Sequence, residues 1–161
     1  MRAIHSSLPE LLVYDARMRH VIDERHVYAI IGAFFDVYNY FGYGLLESLY
    51  VAAIERELRS KLNVRREVWV PVAYKGERIG VQRIDMLVED RVIIEAKSTK
   101  DLSLTANRQL YNYLRATKLG TGVLLHFGPE ARFYRVTNRC AQERVRPTCI
   151  IARDVGNAGD K

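Results

Sequence analysis

At 161 residues the chain is long enough for one domain with its own core and too short to expect two. Apolar residues make up 48% and charged residues 27%, the balance of a soluble globular protein, and no run approaches the ~20 apolar residues that a membrane-crossing helix needs. The net charge of +6, with 19 of the 25 basic residues arginine, fits a polyanionic partner, although a basic surface alone is often only solvated.

Residues 1–22 show no sustained period and read as a loose arm or a short extra helix. Pro9, Glu10 and Asp15 interrupt the apolar stretch, which is not that of a secretory signal; the expected location is the cytoplasm. From Asp23, read as a cap, apolar residues recur at Val27, Ile30, Ile31, Phe34, Val37, Tyr38 and Phe41, the spacing of an amphipathic helix. Gly42-Tyr43-Gly44 breaks it, and a second helix is predicted from near Leu45 to Lys61, with Glu55 and Arg59 as an i,i+4 pair.

The period then changes. Val64 to Tyr74 is β-rich, Lys75-Gly76-Glu77 is a turn, and Arg78 to Val88 alternates. Glu89-Asp90 turns again into a strand from Arg91 to Lys97. A helix from Ser103 to Lys118 is ended by Gly120 and Gly122, and two short strands follow, Val123 to Phe127 and Arg132 to Val136. The tail carries Arg139, Arg144, Arg146 and Arg153. Its Cys140 and Cys149 are too few for a disulfide framework and are read as structural thiols. The order α-α-β-β-β-α-β-β implies a mixed sheet with helices packed on it. The expected organisation is an arm over 1–22, a domain over 23–137 and a basic extension over 138–161.

The chemistry concentrates between Arg83 and Lys97. Side chains alternate faces along a strand, so Glu95 and Lys97 share a face that Ala96 does not. A three-residue connection, Glu89 to Arg91, sets Asp85 opposite Glu95 and gathers Ile84, Met86, Val88, Val92, Ile94 and Ala96 on one apolar face. A two-residue connection mixes polar and apolar residues on both faces, so burial selects the first register. Two carboxylates at cross-strand distance repel unless a cation or proton lies between them. Such oxygen ligands suit Mg²⁺ or Mn²⁺, and a neighbouring ammonium can orient the attacking water. The other reading of these three residues is an ordinary cross-strand salt bridge on a surface hairpin.

Glu47 shares a helical stripe with Tyr50, Val51, Ile54 and Leu58, where a carboxylate is costly without a cation or hydrogen bonds. It also stands just after Gly44, where an acid suits the N-terminus of a helix. On the later helix Gln109 and Tyr113 lie one turn apart, with Lys100, Arg108 and Arg115 adding positive charge. Four scattered histidines give no zinc spacing, and the chain lacks G-x-x-x-x-G-K-[ST], G-x-G-x-x-G and G-x-S-x-G motifs.

Gly44-Leu45-Leu46-Glu47-Ser48-Leu49-Tyr50 resembles the G-x-x-E-x-x-Y signature of the small GxxExxY proteins, followed as in that family by Ala53 and Glu57-Leu58. Ile31-Gly32-Ala33, Gln109 to Leu114 and Leu124 to Gly128 fit as well, so the resemblance covers roughly residues 24 to 135. The family is assigned to the PD-(D/E)XK superfamily. The resemblance implies a restriction-endonuclease-like αβββαβ core, an α/β fold with a mixed central sheet flanked by helices, and a Mg²⁺- or Mn²⁺-dependent nuclease. By resemblance Asp85, Glu95 and the carbonyl of Ala96 would hold the metal, with Glu47 as an additional acid and Lys97 as the lysine of the E-x-K motif. Gln109 and Tyr113 resemble a Q-x-x-x-Y element that supports the site and contacts DNA; Lys100 and Arg108 are the further substrate candidates. Ile84 replaces the proline that names the superfamily, and His126 stands where relatives more often carry asparagine.

The expected function is hydrolysis of phosphodiester bonds in DNA, preferred over RNA, with no membrane partner and with monomer and homodimer both open. The alternatives are a silent nucleic-acid- or protein-binding module on the same fold, and a phosphate-handling enzyme acting on a small substrate.

Overall fold

The computed structural model describes residues 8–138, with side chains from residue 23. The elements are α1 (Leu8–Phe41), α2 (Glu47–Leu58), β1 (Val64–Tyr74), β2 (Glu77–Val88), β3 (Val92–Lys97), α3 (Leu104–Thr117), β4 (Thr121–Phe127) and β5 (Ala131–Thr137). Their order and types follow the sequence reading. The tail arginines and both cysteines lie outside the described residues, as does His5. No helix among the described residues is long and apolar enough to cross a membrane.

The helix boundaries differ: α2 ends at Leu58, short of Lys61, a left-handed Lys118 ends α3 ahead of Gly120 while Gly122 lies in β4, and the largest difference is at α1. The helix expected from Asp23 begins at Leu8 and runs unbroken for 34 residues. Pro9 sits in its first turn, where a missing N–H costs nothing, and no further proline or glycine interrupts it before Gly32. Asp23 is therefore no cap. Its carboxylate accepts from Arg91 Nε at 2.8 Å and from Thr121 Oγ1 at 3.2 Å, tying α1 to the starts of β3 and β4.

The five strands lie in chain order, antiparallel except for the β3–β4 pair, which α3 connects as a parallel crossover. Helices α1 and α2 cover one face over Met86, Val88, Val92, Ile94, Ala96, Val123, Leu125 and Phe127. Helix α3 covers the other over Val70, Ile84, Leu87, Ile93 and Leu124. A cap ends the loop before α3: Ser103 Oγ accepts from Thr105 N.

The β2–β3 register is the predicted one, with Val88 opposite Val92 and Met86 opposite Ile94. Glu89 and Asp90 take left-handed conformations, and Arg91 N donates to Val88 O at 3.0 Å to close the turn. Ile84 departs from the expectation. It packs in the α3-side core with Val70 and Leu87, not with Met86. The cause is local: Glu67, flanked by Arg66 opposite Met86 and Val68 opposite Ile84, has a φ of 52°, and the strand pair swaps faces across that point.

Candidate active site

The Gly42–Leu46 loop delivers Glu47. Gly42 and Gly44 have φ of 67° and 108°, conformations open to glycine at little cost. Tyr50, one turn into α2, donates its hydroxyl to Gly42 O at 2.7 Å and accepts from Leu45 N at 3.3 Å. Its buried ring stacks on Phe127 with centroids 3.9 Å apart. The tyrosine of the G-x-x-E-x-x-Y run thus ties the loop before α2 to the first turn of that helix.

Glu47 at that start is half-exposed, and its carboxylate accepts from Ser98 N at 3.2 Å, while Ser98 Oγ donates to Leu45 O at 2.6 Å. The end of β3 is thereby pinned to the start of α2. Lys97 lies between two acids: its Nζ donates to Glu95 Oε1 at 2.7 Å and stands 3.7 Å from Glu47 Oε1. Asp85 closes the group from β2, its Oδ2 accepting from Ala96 N at 2.9 Å. The sequence reading placed these four groups together, and the structure does bring them together.

Glu95 is the unusual member. Only 2% of it is exposed, and its Oε2 has no hydrogen-bond partner among the described residues. Burial first, and the nearby Asp85 carboxylate second, push its pKa up to about 7 against the pull of Lys97. Burial works against the Lys97 ammonium too, but the hydrogen bond and charge of Glu95, with Glu47 and Asp85, outweigh it and hold that pKa above its ordinary value. Tyr113 is raised, by burial first, with Glu95 adding to the shift. Its hydroxyl accepts from Gln109 Nε2 at 2.6 Å, so the two form one polar unit beside the carboxylates. Lys100 and Arg108 are exposed.

Among the described residues no three His, Cys, Asp or Glu side chains gather tightly enough to hold a metal ion by themselves. Glu47 is engaged with Ser98 and Lys97, Asp85 Oδ2 with Ala96 N and Glu95 Oε1 with Lys97, so Glu95 Oε2 is the buried carboxylate oxygen of the group left without a partner among the described residues. The unpartnered Oε2 of Glu95 and its mutual repulsion with Asp85 fit a divalent cation at that pair.

A narrow cleft of about 80 Å³ opens beside Asp85 and Glu47, lined also by Ser48, Val51, Arg66, Glu67 and Arg83. Sequence reasoning missed both arginines, although Arg83 stands two residues from Asp85 on the same strand. Ser98 was missed as well, and nothing in the sequence links it to Glu47, 51 residues away. His126, whose role was open, is buried beside Lys97 in the parallel register and donates from Nε2 to Thr99 O at 2.7 Å. A roomier cleft of about 420 Å³ lies away from these groups, between β1–β2 and the end of α3. Its lining is mainly apolar, and its one acid, Asp90, is paired with Arg65, so it offers no comparable chemistry.

Comparison with known proteins settles the family. The profile of the PD-(D/E)XK nuclease superfamily matches residues 24–138. The chain belongs to that superfamily. Its mixed five-stranded sheet with flanking helices is a restriction-endonuclease-like fold, and membership supports a nuclease-like role. No curated protein matches the sequence. A solved structure titled "Crystal structure of SSO0001" is similar over 55% of this chain, at 20% identity and a TM-score of 0.46; this chain covers 48% of that one, about half its length.

Proposed function

We propose that this PD-(D/E)XK domain is a divalent-metal-dependent nuclease hydrolysing phosphodiester bonds in DNA, and that it belongs among the GxxExxY proteins. The observation that carries the reading is Glu95: a buried carboxylate facing Asp85, one oxygen unpartnered, with an ammonium at 2.7 Å on the other. Such a group is costly to keep in a core unless a cation compensates it. Asp85, Glu95 and the Ala96 carbonyl would hold Mg²⁺ or Mn²⁺, with Glu47 supporting. When bound, the ion supplies Lewis-acid stabilisation of charge on the scissile phosphate.

The chain's own groups complete the site. Lys97 carries a firmly held proton and offers N–H donors to the attacking water or a phosphate oxygen. Gln109 and Tyr113 order the α3 side, and Lys100 and Arg108 supply charge toward the backbone of the substrate. The assay is cleavage of single- and double-stranded DNA and RNA over a panel of metals, with Asp85→Asn and Lys97→Ala as controls. Metal-dependent cleavage of DNA that both variants lose supports the reading. No cleavage of any substrate with Mg²⁺ or Mn²⁺ defeats it.

One observation favours a second reading, a non-catalytic binding module. Lys97 sits between Glu95 and Glu47, so part of the cluster's carboxylate charge is met without a metal. Calorimetric titration separates the two, since this reading expects no Mg²⁺ or Mn²⁺ binding that Asp85→Asn removes.

A further inference from the structure

Strands β1 and β2 outrun the core. Every residue from Glu77 to Arg83 is exposed, so the hairpin projects from the sheet as an arm. Exposed apolar side chains on such an arm are unusual, and this one carries Trp69, Ile79 and Val81 at 64%, 67% and 42% exposure.

These residues fall in register. Trp69 pairs with Arg83 and Pro71 with Val81. Val68 and Val70 pack on the α3 side, so alternation turns Trp69 to the opposite face, with its partner Arg83 and the next pair, Pro71 and Val81; Trp69 and Pro71 also border the apolar cleft beside the end of α3, and Ile79 lies further out, at the bulge where the register shifts. An aromatic, a proline, an aliphatic and a guanidinium therefore make one stripe along the ribbon. Its inner end is Arg83, which lines the narrow cleft with Asp85, Glu47 and Arg66. Between residues 65 and 83 the arm holds five basic residues against two acidic ones. Among the described residues Arg83 is engaged only by Glu67, at 3.3 Å, with both side chains more than half exposed, a pairing that a phosphate can displace.

We propose that this arm binds a single-stranded stretch of nucleic acid, with Trp69 stacked on an unpaired base and Arg83 leading the backbone into the cleft. The inference rests on the nuclease reading and names the form of its substrate. A flat exposed ring beside a cation matches the π-face of a base and its phosphate, and in a duplex those faces are already stacked. The continuity of the stripe with the acidic cleft gives the bound strand a destination.

Trp69 is the one tryptophan of the chain, so its emission reports this contact directly. The full chain, in chelator so that no cleavage occurs, is titrated with oligothymidylate of about 20 nucleotides, longer than one ordinary single-strand site. The same titration is run with a blunt duplex. Saturable quenching by the single strand, at least tenfold tighter than by the duplex, is expected. With labelled oligonucleotide and anisotropy as readout, Trp69→Ala weakens binding by about tenfold, Trp69→Phe by less, and Arg83→Ala by about fivefold. Absence of quenching, or unchanged affinity in Trp69→Ala, overturns the proposal. So does emission that follows protein concentration instead of oligonucleotide, because a second copy would then cover the arm. Quenching without cleavage under any metal sinks the nuclease reading alone; cleavage without quenching sinks the arm alone.

Discussion

Asp85 accepts the amide of Ala96 at 2.9 Å, in the place where the ladder between β2 and β3 stops. Backbone rungs run from Val88–Val92 to Met86–Ile94, and beyond them a side chain takes over the next donor. The strand carrying Asp85 is thereby released from β3 and free to turn toward α3, as Ile84 does. The acid serves the fold and, under the nuclease reading, the site as well, and the two roles are separable. Asp85→Ala strands a buried amide and should lower stability by roughly 1–3 kcal/mol. Asp85→Asn keeps an acceptor and should lose under about 1 kcal/mol in denaturant unfolding; under the nuclease reading both variants also lose metal-dependent cleavage.

Glu95 gives the fold a pH dependence of defined sign. Its folded pKa of about 7 lies above the ordinary 4.5, so the folded state holds the proton more tightly than the unfolded chain. Stability from this group is complete below about pH 4.5 and is lost as pH rises toward 7. The full loss is on the order of 3 kcal/mol. Glu95→Gln should flatten unfolding free energy across that window. Under the nuclease reading, added Mg²⁺ should restore stability near pH 7 in the parent chain and not in the variant, by favouring the ionised carboxylate.

Tyr50 acts on the site without touching its acids. Its hydroxyl holds both Gly42 O and Leu45 N, and Leu45 O in turn receives Ser98 Oγ. Tyr50→Phe keeps the stack on Phe127 but drops both loop bonds, and should cost about 1–2 kcal/mol in thermal or denaturant unfolding. Glu47 then loses its fixed approach to Ser98. Under the nuclease reading cleavage falls several-fold even at temperatures where the variant is fully folded.

The hairpin register was legible because only a three-residue connection buries an apolar face, and five of the six residues assigned to that face are there. Ile84 was not, since its place depends on the left-handed backbone of Glu67 across the ladder, which no alternation rule foresees. The start of α1 was misread because helical apolar spacing is weak before Asp23, while Asp23 resembles a cap in sequence and is a lateral anchor for Arg91 in space. Glu47, Asp85, Glu95 and Lys97 were found together because strand alternation and helix periodicity are local. Their link through Ser98 joins residues far apart in sequence and had no local signal.

Gly128 offers a last test of how the β3–α3 loop is held. A Cβ there would lie 2.5 Å from His126 Cε1, 2.9 Å from His126 Nε2 and 3.1 Å from Thr99 O, the very groups joined by the bond from His126 to Thr99. The alanine must push the buried ring off its acceptor or shift the backbone that follows Ser98. Gly128→Ala should therefore destabilise by about 1–3 kcal/mol through overpacking. If the ring is the obstacle, a smaller side chain at 126 relieves it: in a His126→Ala background the Gly128→Ala penalty should shrink by more than about 0.5 kcal/mol, the reach of ordinary non-additivity. Equal penalties in both backgrounds would assign the clash to Thr99 O, and the loop would then owe its position to backbone packing, with His126 a bystander.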